Sequence, residues 1–105
     1  MMNYDKIPVP RMVGSMRRYL EHGILPGHFL TAVLSNDLIE ACGRADDENR
    51  AALFEWCRWL VNEAPPGSYG SPEYVKTWLE YRQVITHERE LDTSYSQIRG
   101  GADVD

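Results

Sequence analysis

Apolar residues recur along this chain at spacings of three and four, the period of an amphipathic α-helix. Residues 29–41 show the pattern most clearly. The stripe there consists of Leu30, Val33, Leu34, Leu38 and Ala41. No segment shows the strict alternation of apolar and polar positions that is typical of a half-buried strand. The pattern therefore predicts an all-α fold.

Glycines and capping residues divide the pattern into four predicted helices. These span about residues 10–22, 27–42, 47–64 and 72–90. Gly23 and Gly43 follow the first two helices and are suited to left-handed caps. Asp46 and Ser71 precede the last two helices and are suited to N-caps. Because short loops make sequence neighbours antiparallel, we expect a compact array of about four helices.

The same spacing predicts which side chains of the other three helices form the core. They are Val13, Met16, Leu20, Leu53, Trp56, Cys57, Leu60, Val61, Val75, Trp78 and Leu79. Residues 1–9 form a polar segment with two prolines nearby, Pro8 and Pro10, and are expected to be an extended lead. From Asp92 onward no apolar period is visible, which predicts a disordered tail. The sequence thus predicts a single helical domain at residues 1–91 and a flexible tail at residues 92–105.

Asp37 lies near the middle of the apolar stripe in the second predicted helix. A carboxylate on a core-facing stripe is costly unless it is paired or hydrogen-bonded. Arg50 lies near the start of the next helix, at roughly the same distance from the connecting turn as Asp37. It is therefore the expected partner of Asp37. The pair either sets the register of the two helices or forms the polar floor of a ligand pocket between them.

Three further arginines and one tyrosine complete the candidate ligand-binding set. They are Arg17, Arg44, Arg82 and Tyr69. An arginine at the edge of an apolar stripe usually extends to solvent or pairs with glutamate. Two or three that converge beside an aromatic ring would instead hold a phosphate or a carboxylate. Tyr69, in the loop PPGSYGS, is either an exposed contact residue or packs back onto the core.

Charge and the remaining motifs narrow the function. The net charge is −5, which opposes non-specific binding to nucleic acid or anionic membrane. An acidic protein could instead bind a basic protein surface.

The chain shows no metal-ligand spacing, phosphate-binding loop or nucleophile motif, so we expect no metal, no cofactor and no enzymatic activity. Residues 1–10 lack the apolar core of a signal peptide. No apolar run approaches the about 18 residues of a membrane span.

Large aromatic side chains are numerous for so short a chain, with three Trp and six Tyr among 105 residues. A small core cannot bury all of them, and exposed rings favour an interface. The residues on the flanks of the last two predicted helices are Phe54, Trp59, Tyr74 and Tyr81. We expect these residues to form the interface of a dimer or a higher symmetric oligomer, most simply a two-fold pair. The alternative is a monomer in which Trp59 and Tyr81 pack on the N-terminal segment.

The stretch GILPGHFLTAVLSNDLIEACGRADDENRAALFEW, followed by NEAPPGSYGSPEYVKTWL, resembles a family of small uncharacterised proteins encoded by phages and prophages. The resemblance covers about residues 7–80. It implies a phage accessory protein in the bacterial cytoplasm and supplies no active site. By analogy with other such proteins, we expect counter-defence, either by sequestering an anionic nucleotide signal or by masking a host defence protein. The alternative is a structural or regulatory phage protein that acts only through protein contacts.

Overall fold

Six α-helices make up most of the described chain in this computed structural model, which describes the backbone of residues 2–98 and the side chains of residues 2–86. They are α1 (Val13–His22), α2 (His28–Leu34), α3 (Leu38–Arg44), α4 (Asp47–Ala51), α5 (Leu53–Glu63) and α6 (Pro72–Ile98). Short 3-10 helices at Tyr4–Lys6 and Pro10–Met12 precede them. Residues 2–98 contain no strand, which confirms the all-α prediction. The number of helices differs because the structure divides each of the second and third predicted helices into two.

The break between α2 and α3 is a Schellman motif followed directly by an N-cap. Asn36 ends α2 in the left-handed conformation, with φ 63°. Its N–H donates to the Val33 carbonyl at 3.1 Å, and the Asp37 N–H donates to the Ala32 carbonyl at 2.9 Å. The Asp37 carboxylate then accepts the Glu40 N–H at 3.2 Å and begins α3. The prediction of one helix through this region is therefore wrong.

Both predicted N-caps, Asp46 and Ser71, are confirmed. The Asp46 side chain accepts the Asn49 N–H at 2.8 Å. This backbone hydrogen bond, together with the Arg11 guanidinium, holds the pKa of Asp46 below its usual range. The Ser71 hydroxyl accepts the Tyr74 N–H at 3.0 Å and begins α6. Both helix starts follow from a short polar side chain placed one residue before the helix.

Gly23 ends α1 as predicted, in the left-handed conformation with φ 67°. The same residue also lies directly against α6, since a Cβ atom added to it would stand 2.9 Å from the Leu79 carbonyl oxygen. Gly43, in contrast, lies inside α3 and does not cap it, so its predicted role is wrong. Gly23 therefore combines a helix end with a close approach between two helices.

Side chains of α6 bind the carbonyl groups at the end of α1, which have no partner within their own helix. The Arg82 guanidinium donates to the Glu21 carbonyl at 2.9 Å. The Gln83 amide donates to the Gly23 carbonyl at 2.8 Å. These bonds hold α6 along the last turn of α1.

The N-terminal segment, expected to be an extended lead, forms part of the core. Ile7 and Val9 are buried, and the segment covers Trp59, whose indole N–H donates to the Asn3 carbonyl at 2.9 Å. Helix α5 is consequently rotated relative to its predicted orientation. Its fully buried residues are Trp56, Trp59 and Leu60. Cys57 and Val61, which were predicted to face the core, are exposed.

The loop between α5 and α6 folds back onto the core. The Tyr19 hydroxyl donates to the Ser68 carbonyl at 2.8 Å, and the Gly70 N–H donates to the Leu34 carbonyl at 2.7 Å. Tyr69 between them is partly buried and packs against the core cluster. Of the two interpretations of Tyr69, the structure therefore supports packing over full exposure.

Helix α6 continues to Ile98, past its predicted end near Glu90. The predicted flexible tail thus overlaps the helix at residues 92–98, while residues 99–105 lie outside the described residues. The division into a domain at residues 1–91 and a tail stays a prediction. Over the described chain, no helix has an apolar stretch long enough to cross a bilayer.

Candidate functional site

Asp37 and Arg50 do not form the predicted ion pair. Asp37 is exposed at the start of α3, because the chain turns at Asn36 and carries the carboxylate off the apolar stripe. Arg50 pairs with Asp47 at 3.1 Å and also donates to the Ala45 carbonyl at 2.9 Å. The hypothesis of a buried pair between the second and third predicted helices is therefore wrong.

Replacing Asp37 with alanine should lower the free energy of unfolding by about 1 kcal/mol, the usual value of an N-cap. Breaking a buried ion pair would cost about 3–5 kcal/mol. Asp37→Asn retains a capping side chain and should stay within a few tenths of a kcal/mol of the wild type. Urea unfolding of the three proteins measures both differences. A loss near 4 kcal/mol in the alanine variant would contradict the capping role.

The other predicted ligand-binding arginines are each engaged by groups of the protein itself. Arg17 stands 3.5 Å from the Glu21 carboxylate and 4.5 Å from the centre of the Tyr4 ring. Arg82 binds the backbone of the same Glu21. Arg44 pairs with Glu40 at 2.7 Å on α3. Arg17 and Arg82 therefore meet at Glu21 of the protein itself, while Arg44 lies on another helix with its own carboxylate partner.

Tyr4 links the N-terminal segment to α1. Its hydroxyl donates to the Glu21 carboxylate at 3.0 Å, and its ring centre lies 6.0 Å from that of Trp59. Burial and the Glu21 carboxylate raise the pKa of Tyr4 to about 12. The phenol therefore stays protonated at neutral pH and acts as a hydrogen-bond donor, with Arg17 stacked over its ring.

A cleft of about 560 Å³ lies between the N-terminal segment and α5. Its lining consists of Lys6, Pro8, Glu55, Arg58, Trp59, Asn62 and Glu63. The charges oppose one another in pairs, with Lys6 at 3.9 Å from Glu63 and Arg58 at 3.6 Å from Glu55. The cleft therefore carries no net charge to attract an anion. None of the residues predicted to bind a ligand lines this cleft. Trp59, which lines it, was predicted to form an interface.

A second, smaller cleft of about 50 Å³ lies where α3 meets α5. Its lining consists of Val33, Asn36, Asp37, Leu38, Ala41, Leu53 and Cys57. Phe54, Cys57 and Val61 share one side of α5, because they are spaced three and four residues apart. Leu38, Phe54 and Val61 are 62%, 69% and 70% exposed. We name Leu38, Phe54, Cys57, Val61 and the small cleft the α3–α5 surface.

The predicted interface residues divide into two groups. Phe54, Tyr74 and Tyr81 are exposed, as an interface requires. Trp59 is only 3% exposed and packs on the N-terminal segment, so its assignment to an interface is wrong. Tyr81 does not join Trp59 there but packs on Trp78, with ring centres 5.6 Å apart. Homo-oligomer formation stays a prediction.

The described side chains contain no group of three or more His, Cys, Asp or Glu residues placed to hold a metal ion. Cys42 and Cys57 are both free and exposed. A scan against protein-family models, a search of curated proteins and a search of solved structures each found no match to this chain. The resemblance to phage-encoded proteins therefore stays a prediction.

Proposed function

We propose that this protein is a non-enzymatic binding protein that acts by covering a surface of another protein. The observation that carries the proposal is the α3–α5 surface. Exposed Leu38 lines its small cleft, and exposed Phe54 and Val61 lie on the side of α5 that carries Cys57 of the same cleft. Grouped apolar side chains of this kind on a small domain are typical of protein interaction sites. Phe54, an exposed aromatic ring, has the character of an interface anchor.

The charge distribution favours a protein partner over a nucleotide. Each arginine that would hold a phosphate already binds a carboxylate or a carbonyl group of the protein. The larger cleft balances two cations with two carboxylates. A nucleotide signal would need several cations directed at one point. The net charge of −5 instead matches a partner surface that is basic.

In the setting that the sequence resemblance implies, the partner is a protein of a bacterial host, and binding masks that protein during phage counter-defence. A structural or regulatory role in the phage would use the same surface on a phage protein. Both roles belong to the class of protein–protein interaction. The identity of the captured partner, a host protein or a phage protein, distinguishes the masking role from the structural or regulatory role.

Co-purification from bacterial cells tests the proposal. The double variant Leu38→Ser, Phe54→Ser should lose the partner by at least about tenfold, because two exposed anchors are removed. The matched control is Ile24→Ser, Leu25→Ser, whose side chains are 51% and 53% exposed in the connection between α1 and α2. The control should retain the partner, and circular dichroism confirms that both variants fold.

Equal retention by the Leu38, Phe54 variant and the wild type would contradict the proposal. A panel of cyclic and linear signalling nucleotides provides the second arm, with thermal shift and nucleotide integrity measured together. A shift with intact nucleotide, and no captured protein, would overturn the proposal in favour of sequestration. Loss of the nucleotide would overturn it in favour of an enzyme.

A further inference from the structure

The small cleft of the α3–α5 surface has room for the end of one aliphatic side chain. Its volume of about 50 Å³ exceeds the about 10–15 Å³ that a cavity needs to hold one water molecule. Five of its seven lining side chains are apolar or a thiol: Val33, Leu38, Ala41, Leu53 and Cys57. An aliphatic group placed there would replace water on an apolar lining, which is the favourable exchange of a binding anchor.

Asp37 supplies a negative charge at the rim of this cleft. Its carboxylate accepts the Glu40 N–H, and no cation among the described side chains stands within ion-pair distance of it. The next acidic residue of α3 differs, since Glu40 pairs with Arg44. Asp37 is therefore the carboxylate of this surface that a cation from outside can pair with.

The occupant that complements this arrangement is basic and amphipathic. The chain carries a net charge of −5, so a second copy would bring like charge to like charge. A basic segment would gain attraction during approach and a local pair with Asp37. Charge complementarity thus favours a basic partner over self-association at this surface.

We propose that the α3–α5 surface binds a basic, amphipathic protein segment, which places one aliphatic side chain in the small cleft and a neighbouring lysine or arginine against Asp37. This inference rests on the proposed function and specifies the chemistry of the partner. The contact combines an apolar anchor with one charge pair at its rim. Each of the two contributions can be removed by a separate substitution.

Three synthetic helical peptides serve as probes. The first has leucine at spacings of three and four with lysine elsewhere, the second replaces lysine with glutamate, and the third replaces leucine with alanine. Fluorescence anisotropy measures the Kd of each for the full chain. We expect the leucine–lysine peptide to bind more tightly than either of the others, because only it supplies both the anchor and the cation.

Two variants locate the bound peptide. Asp37→Asn keeps the N-cap and removes the charge, and should weaken binding of the leucine–lysine peptide by about twofold to fivefold, the range of one exposed charge pair. Leu38→Ser removes part of the cleft wall and should weaken it by at least about tenfold. Glu80→Gln removes an exposed carboxylate from the middle of α6 and is the matched control, with the Kd unchanged.

Equal binding of the alanine–lysine peptide, or an unchanged Kd in both Asp37→Asn and Leu38→Ser, would overturn the inference, since binding would then reflect net charge alone. Light scattering measures the oligomeric state of the free chain. If the wild type is a dimer and Leu38→Ser is a monomer, the inference is overturned in favour of a second copy as the occupant. If Leu38→Ser, Phe54→Ser loses a cellular partner while the peptides fail these tests, the inference fails and the proposed function stands. If no cellular partner depends on the surface, both fail.

Discussion

Replacing Trp56 with alanine should lower the free energy of unfolding by about 3–5 kcal/mol, the usual range for an aromatic residue deleted from a core. Trp56 is completely buried and packs edge-on against Phe29, with ring centres 6.2 Å apart. Its indole N–H donates at 3.0 Å to the side-chain oxygen of Asn49, which is itself buried. The alanine variant therefore leaves both a cavity and an unsatisfied amide.

Two companion variants separate these contributions in urea unfolding. Trp56→Phe keeps most of the ring and removes the N–H. The free energy of unfolding should fall by about 1–3 kcal/mol, because the buried Asn49 side chain loses its hydrogen-bond partner. Phe54→Ala, on the exposed side of the same helix, should change stability by less than about 0.5 kcal/mol. A Trp56→Ala variant as stable as Phe54→Ala would show that Trp56 is not in the core.

Replacing Gly23 with alanine should destabilise the protein by about 2–5 kcal/mol. The left-handed conformation costs an alanine about 1–2 kcal/mol. The added Cβ would also meet the Leu79 backbone carbonyl at 2.9 Å, and relief requires α1 and α6 to move apart at about 1–3 kcal/mol. Thermal or urea unfolding measures the combined effect.

Gly43→Ala is the matched control for this substitution. Gly43 lies within α3, and a Cβ there meets no atom within 4 Å. Alanine at this position should raise stability by up to about 1 kcal/mol, because glycine is a poor helix former. The two alanine substitutions thus have opposite expected signs. Equal effects at both positions would contradict the assigned close approach at Gly23.

The division between α2 and α3 could have been predicted from local sequence. Asparagine tolerates the left-handed conformation, and aspartate is a preferred N-cap, so Asn36-Asp37 is a helix end followed by a helix start. The apolar period hides this signal because it continues from Leu34 to Leu38 and Ala41. Two short helices joined at a sharp turn therefore have the same apolar pattern as one longer helix.

The pairing of three candidate arginines was also visible in the sequence. Arg17 has Glu21 four residues ahead, and Arg44 has Glu40 four residues behind, spacings that bring side chains together on a helix. Arg50 similarly has Asp47 three residues behind it. These local partners explain why the arginines do not converge on a ligand.

What the sequence by itself determined is the helical class, the caps at Gly23, Asp46 and Ser71, and the ion pairs within single helices. Each depends on residues within about one turn of one another, where backbone hydrogen bonding and side-chain spacing decide the outcome. Only the tertiary structure decided which side of α5 is buried. Trp59 is covered by Asn3, 56 residues away, and that contact turns Phe54, Cys57 and Val61 outward. Because periodicity identifies an apolar stripe without identifying what packs on it, the α3–α5 surface emerges only when the N-terminal segment is in place.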